Sequence, residues 1–384
     1  MTDRDPKTAI VIGGSLGGLF AGSLLREAGW NVEVFERSAH DLDGRGGGVV
    51  LQPEVEEVFA RLRLPRPAGV ASTSRIVYRP DGSIQDRRAA YQTQTSWSAI
   101  YRAIRDAYAA SGGGYHRGKA LTAITQEDDR VTATFGDGTT ATGDLLVGAD
   151  GNGSTVRGLL WDEEPSYAGY FAWRGLVPEP AMPLPSKDLS GAFGFSNNRE
   201  SHILGYLVPG ADGSIQPGER LYNWVWYRAA DPATMADVMT DRTGRARGFS
   251  IPEGALRDDW AARMKADAAE LLPAPFEAIV RATDRPFAQA IRDLTVETMV
   301  KGRVVLIGDA AFVPRPHTAA STSKAAANAI DLAVALAREP DDIGQALEEW
   351  NLGGLWLGSR LWEQGTSMGD YLMFKRAAPG AQVG

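Results

Sequence analysis

The distribution of apolar and polar positions defines the first element within a dozen residues. An apolar run at 8–12 ends in the cluster Gly13-Gly-Ser-Leu-Gly-Gly18. A helical pattern continues to Arg26, and a second apolar run, Asn31-Val-Glu-Val-Phe-Glu36, ends on an acid. Strand, glycine turn, helix, strand and terminal acid, in that order, predict a βαβ unit that binds a dinucleotide. Gly13 permits the tight turn and Gly18 close helix–strand packing. The helix start at Ser15-Leu16 faces a pyrophosphate, and Glu36, followed by Arg37, accepts from a ribose hydroxyl. In G-x-G-x-x-G register the middle position is Ser15, a small residue whose hydroxyl can donate to a phosphate oxygen. An ordinary glycine-rich βα turn is the alternative for the loop taken alone.

The pattern continues as a glycine loop with Arg45, a helix over 54–62 and a hairpin at Asp81-Gly82. A helix follows over 98–110 with Ile100, Ile104 and Tyr108 on one face. A second hairpin over 131–142 leads into the buried strand 144–149. From 166 the texture changes to strand-like runs, 170–177, 191–195, 202–208 and 221–227, punctuated by Gly and Pro. Another buried strand ends at Gly308-Asp309, an alanine-rich helix covers 322–336, and one or two helices cover 343–375. The fold expected is α/β. A Rossmann-like domain comes from 1–72, 98–165 and 285–340, with an inserted, mostly antiparallel sheet domain from 73–97 and 166–284. C-terminal helices take 341–384.

Composition narrows the function classes. The 384 residues carry a net charge of −8 and no basic block, which argues against nucleic acid as a partner. There is no cysteine, so disulfides and thiolate sites are excluded, and the four histidines are too scattered to suggest a metal cluster. The first residues lack a signal-peptide pattern and no run is long and apolar enough to span a bilayer, so a cytoplasmic location is expected.

Two further segments sharpen the cofactor. Gly143-Asp-Leu-Leu-Val-Gly-Ala-Asp150-Gly151-Asn-Gly-Ser-Thr-Val-Arg157 and Gly302-Arg-Val-Val-Leu-Ile-Gly308-Asp309-Ala-Ala311 each end a strand on an aspartate beside a helix start. A tight turn with a capping aspartate is the plain alternative for either one. With Gly13, Gly18 and Glu36, the two segments resemble the three signatures of the single-component FAD-dependent aromatic hydroxylases, from about residue 8 to 340. The version Phe312-Val-Pro-Arg-Pro316-His317, with Lys324 downstream, is similar to the pyridine-ring hydroxylase branch. Gln52-Pro-Glu54, 167–175 and the serine at position 15 agree with that branch.

The resemblance implies FAD as resident cofactor, NADH or NADPH as a transient reductant, and O2. The implied reaction is hydroxylation of a small electron-rich ring, of hydroxypyridine or phenol type, through a flavin C4a-hydroperoxide. A homodimer is also implied. A flavin oxidase or dehydrogenase, or a non-catalytic FAD-containing ligand-binding protein, would share the same cofactor site. The expected FAD contacts are Gly13, Ser15, Leu16, Gly18, Glu36, Arg37, Arg45, Asp150, Gly151, Arg157, Gly308, Asp309, Ser321 and Thr322. His317 is the expected base, since an unperturbed imidazole titrates near 6.5 and the family places this loop at the flavin's reacting face. Trp173, Arg174, His202, Tyr206, Trp224, Trp226 and Pro316 are candidate substrate contacts, with sheet packing as the competing role for each. Two positions depart from the family: Ala319 to Ser323 where glycines are usual, with Ser321 expected to cap the next helix, and Trp97 where an arginine is usual. Arg45 and Arg102 are the alternatives for that arginine.

Overall fold

The computed structural model describes residues 6–43, 47–198 and 201–375. Its first sheet has six strands in the order Val300–Lys301, Val304–Leu306, Leu145–Gly148, Thr8–Ile12, Asn31–Glu36, Gly114–Arg117. All neighbours are parallel except the terminal pair Val300–Lys301 and Val304–Leu306. Strands covered on both faces become continuous apolar runs, as Leu145–Gly148 and Val304–Leu306 are here, every residue buried. The helices Leu16–Glu27 and Ser321–Arg338 pack together over this sheet. A parallel sheet brings the carboxyl ends of its strands to one edge, where α/β folds bind ligands. Ile12, Glu36, Gly148 and Leu306 end there.

The second sheet has nine strands: Ser250–Ile251, Phe287–Asp293, Ser166–Pro178, Leu221–Ala229, Ser201–Val208, Ala192–Asn198, Val70–Tyr78, Ile84–Ser96, Gly48–Val50. Its pairs are antiparallel except Ala192–Asn198 with Val70–Tyr78. Two segments that the sequence assigns to the first domain are therefore strands of this sheet. Phe287–Asp293 pairs with Ser166–Pro178 and Gly48–Val50 edges Ile84–Ser96. The alternation at 287–293 explains the first case: Ala288 and Ala290 turn into the aromatic core.

That core lies on one face of the sheet, under the helices Asp258–Leu271 and Ala274–Ala282, and contains Trp173, Tyr222, Trp224 and Trp226. The opposite face looks toward the first sheet. The C-terminal pattern, read as one or two helices, is a single helix of 32 residues, Ile343–Phe374. It runs close against the loop before Ser321–Arg338 because glycines mark its contact face. A Cβ on Gly365 would stand 2.8 Å from the Arg315 backbone nitrogen, and one on Gly369 2.8 Å from the Tyr170 hydroxyl.

Candidate active site

One cavity of about 1380 Å³ runs from the carboxyl edge of the parallel sheet to the open face of the nine-stranded sheet. Pockets for a single drug-sized ligand measure roughly 300–1,000 Å³, so this space suits a dinucleotide together with a second small ring.

The dinucleotide end follows the expected chemistry. Gly13 holds φ +108°, and a Cβ there would lie 2.5 Å from the Ala149 carbonyl oxygen, so only glycine fits the turn. Gly18 lies away from the cavity and lets the helix start touch the turn: its Cβ would overlap the Gly13 carbonyl oxygen. Ser15 and Leu16 line the cavity, and the Ser15 hydroxyl makes no capping bond to its own helix. Glu36 is buried, and its two oxygens accept from the Gly14 and Ser38 amides at 2.9 and 2.8 Å, which fixes the carboxylate at the strand end on the cavity wall. Arg37 and Gly151 line the same space; Arg45 lies outside the described residues. The N-termini of Leu16–Glu27 and Ser321–Arg338 both open on the cavity and present amides to an anion. This donor set and volume fit FAD.

Three expectations change at the next ring of residues. Arg157 is 2 % exposed and does not line the cavity. Its guanidinium donates to the carbonyl oxygens of Glu163, Ala310 and Asn152 at 3.1, 2.8 and 2.8 Å, so its charge-bearing donors tie the fold together. Asp150 touches the cavity, yet its oxygens accept from Ser154 Oγ at 2.5 Å and the Thr155 amide at 2.6 Å, which is helix capping. Burial raises its pKa and these bonds oppose the rise. Ser321 is the first residue of its helix and caps nothing; the N-cap is Ala320. Ala319, where the family has glycine, sits at φ +54°, a left-handed conformation that costs a side chain about 1–2 kcal/mol. Ser321 and Thr322 remain cavity-lining.

Gly308 keeps φ +60° and donates its amide to Asn328 Oδ1 at 3.0 Å. Asp309 is a third exposed and ion-pairs with Lys324 at 2.8 Å; Lys324 also donates to the Phe312 carbonyl. A buried lysine is tolerated because both partners compensate it, although burial still lowers its pKa. Trp97 lines the cavity and stacks on Tyr101 at 4.8 Å. Arg102 is committed to Asp43 at 3.1 Å and the Ala211 carbonyl at 2.6 Å, so it does not replace the missing arginine.

Replacing Arg157 by methionine separates the two readings of that residue. Three carbonyls would lose a charged donor, at about 1–3 kcal/mol each where no water replaces it. The expected result is a clearly lowered thermal midpoint, with FAD affinity of the folded fraction changed by less than about threefold, since Arg157 does not face the cavity.

At the second end the strand Leu221–Ala229 shows its two faces plainly. Trp224 and Trp226 are fully buried in the aromatic core, with ring N–H groups donating to Thr283 Oγ1 at 2.9 Å and Ser201 Oγ at 2.7 Å. Trp173 packs there on Phe171 and Trp260. The three tryptophans are core residues, because the large apolar faces fill the space under the helices. Val225 and Tyr227, one step away on the same strand, line the cavity, as do Arg174, His202, Tyr206 and Pro316. The sequence signal for this face was its polar member: Asn223 alternates with the tryptophans and accepts the Gly48 amide at 2.9 Å. Phe193, Phe195 and Arg75 also line the chamber and were not picked out by sequence.

His317 sits at the junction of the two ends. Its Nε2 is 2.9 Å from the Tyr170 hydroxyl, its ring centroid is 4.7 Å from Tyr227 and 5.8 Å from His202, and its Nδ1 is buried with no protein partner. Burial, aided by Arg315, pulls its pKa down to about 3, so the imidazole is neutral at physiological pH and far weaker as a proton acceptor than an ordinary histidine. That direction runs against the expected base tuned near neutrality. His202, with Nδ1 2.5 Å from Asn197 Oδ1, is likewise held neutral by burial.

A dinucleotide groove joined to an aromatic-lined chamber defines a flavoprotein that works on a small ring. Comparison with known proteins gives the family. A profile described as FAD binding domain-like matches residues 167–293. The chain is 33 % identical over 351 residues to 2,6-dihydroxypyridine 3-monooxygenase of Paenarthrobacter nicotinovorans, covering 88 % of this chain and 85 % of that protein. It is 25 % identical to 6-hydroxynicotinate 3-monooxygenase of Pseudomonas fluorescens, over 89 % and 84 % of the two chains. The solved structure of 2,6-dihydroxypyridine-3-hydroxylase from Arthrobacter nicotinovorans superposes with a TM-score of 0.90 at 30 % identity, over 99 % of this chain and 96 % of that one. The chain belongs to the FAD-dependent aromatic monooxygenases, which hydroxylate an aromatic ring with FAD, NAD(P)H and O2.

Proposed function

We propose that the substrate is a single hydroxylated ring of pyridine or benzene type, held in the chamber between Tyr227, His202, Tyr206 and the Pro316-His317 loop. The observation that carries this reading is the unpartnered Nδ1 of a neutral, buried His317, set beside the dinucleotide groove. FAD, when bound, would pass the two electrons of NAD(P)H to O2, which is the source of the inserted oxygen atom, the other leaving as water. The chain's own residues orient the ring and exclude water. Tyr170 fixes the His317 ring through Nε2, and burial keeps the Tyr170 phenol protonated by raising its pKa. Nδ1 then meets the ring hydroxyl, which turns the carbon to be oxidised toward the flavin. Glu36, the two helix N-termini and the Gly308-Asp309 turn hold the cofactor in this reading. The cytoplasm is the proposed location, in keeping with an NAD(P)H-dependent reaction. No described helix is long and apolar enough to cross a membrane. A homodimer is proposed on family likeness, and light scattering measures it.

His317→Ala tests the orienting role. One lost hydrogen bond of about 1–1.5 kcal/mol corresponds to a fall in kcat of about tenfold, with FAD binding unchanged. The pH dependence gives the sharper reading. Because the folded pKa lies near 3, His317 stays neutral between about pH 5 and 9 and contributes no inflection to kcat. An inflection near pH 6.5 that vanishes in the variant would restore the base assignment. The sign for stability is also defined. The unfolded histidine takes up a proton below about pH 6.5 and the folded one only near pH 3. The wild-type chain therefore loses stability as pH falls through that window, and the variant loses less.

A further inference from the structure

The glycine turn at the dinucleotide end is held from outside the groove. Tyr115 lies on the edge strand Gly114–Arg117, in register with Val34 of Asn31–Glu36. Its hydroxyl reaches past that strand to the turn after Thr8–Ile12 and donates to the Gly14 carbonyl at 2.9 Å. The Gly14 amide donates to Glu36 Oε2, also at 2.9 Å. Both polar groups of Gly14 are therefore fastened, by side chains from two different strands. Ile12, Gly13, Ser15, Leu16 and Gly17 line the cavity, and Gly14 does not.

Gly14 and Tyr115 are matched to each other. A Cβ at position 14 would overlap the Tyr115 hydroxyl and stand 2.9 Å from Glu36 Cβ. The phenol can reach the carbonyl because position 14 carries no side chain. What the bond does follows from peptide geometry. In a trans peptide the carbonyl and the following N–H point in opposite directions. Holding the Gly14 carbonyl toward Tyr115 turns the Ser15 N–H to the other side. Ser15 lines the cavity as the N-cap of Leu16–Glu27, and its amide has no acceptor among the described residues. An unpaired amide at a helix start is a donor for an anion. Burial raises the Tyr115 pKa, so the phenol keeps its proton and stays a donor. The Tyr101 hydroxyl lies 3.5 Å from that of Tyr115, and the Tyr101 ring stacks on Trp97 at 4.8 Å. The helix Trp97–Ala110 thus backs the phenol.

We propose that Tyr115 is a positioning residue for the cofactor: through the Gly14 carbonyl it aims the Ser15 amide at the FAD diphosphate. It does not line the cavity, so it acts through the turn and not by contact. The proposal concerns the cofactor loop and goes beyond the reading of the ring chamber, so its outcome is independent of the substrate.

The test uses Tyr115→Phe, which keeps the ring and removes the hydroxyl. The full chain is stripped of flavin and titrated with FAD, followed by flavin fluorescence. Two fragments of the cofactor are then measured by competition with FAD. Riboflavin has the ring system and ribityl chain without phosphate, and ADP has the diphosphate without the flavin ring. In the variant FAD should bind about tenfold more weakly, and ADP should weaken by a similar factor. Riboflavin should change by less than about twofold, because the lost hydroxyl serves only the diphosphate donor. A hydroxyl that merely supported the fold would move all three ligands together. Unchanged FAD affinity, an equal loss for riboflavin, or a loss for FAD that ADP does not share overturns the proposal.

Discussion

Gly13→Ala is expected to yield a folded protein that does not retain FAD. The turn needs φ +108°, and the added Cβ would sit 2.5 Å from the Ala149 carbonyl oxygen and 2.8 Å from Asp150 Cα. Relief requires the first strand to move away from Leu145–Gly148, its parallel neighbour. That movement separates the ends of the two strands that frame the groove. Strain of this kind costs about 1–3 kcal/mol in backbone terms, before the displaced amides are counted. A loss of about 3 kcal/mol is roughly a hundredfold in affinity. Flavin absorbance after gel filtration, and titration of the stripped protein with FAD, give the result. Circular dichroism checks that the fold is kept. A Gly13→Ala protein that stays fully loaded would show that the turn does not hold the cofactor. Gly18→Ala is expected to act in the same direction, since its Cβ would overlap the Gly13 carbonyl oxygen.

The second large effect concerns Arg315, which is 6 % exposed and joins three parts of the molecule. It donates to Asp293 on the nine-stranded sheet through Nε at 3.0 Å and Nη2 at 2.8 Å, and to Asp370 on the C-terminal helix through Nη1 at 2.7 Å. It also lies over the ring of Tyr170, the partner of His317. Arg315→Met leaves two carboxylates facing each other with no cation between them. Breaking a buried pair in this way costs about 3–5 kcal/mol. The thermal midpoint should fall, and turnover should fall further than His317→Ala alone produces, because both Tyr170 and the Pro316-His317 loop lose their anchor. Adding Asp293→Asn and Asp370→Asn should recover much of the stability, since the uncompensated charges are then gone. If the triple variant is no more stable than the single one, the ion network is not what fastens the helix to the site.

The parts of this site that were legible in sequence are those fixed by backbone geometry. Gly13, Gly18 and Glu36 follow from strand, turn and helix order, and the structure puts them where that order requires. Side-chain destinations were less legible. Arg157 and Asp150 stand in a motif shared by the family, yet Asp150 closes on a hydroxyl and amides of its own turn and Arg157 on carbonyls that include the distant Ala310, which a sequence cannot distinguish from contact with a ligand. Trp224 and Trp226 drew attention by size. Size placed them in the core, and the smaller Val225 with Tyr227 took the face toward the ring. His317 was found by its place in the loop, but its chemistry was set by burial against Tyr170 and Tyr227, residues distant in sequence.

This chain is expected to couple oxidation of NAD(P)H to insertion of one oxygen atom of O2 into a small hydroxylated ring. The direct measurement incubates the FAD-loaded enzyme with NADH or NADPH and a panel of hydroxylated pyridines, benzenes and their carboxylates under isotopically heavy dioxygen, and weighs the product. The expected result is ring-stimulated NAD(P)H consumption with a product heavier by one labelled oxygen atom. Consumption that ends in hydrogen peroxide with every ring returned unchanged would contradict it.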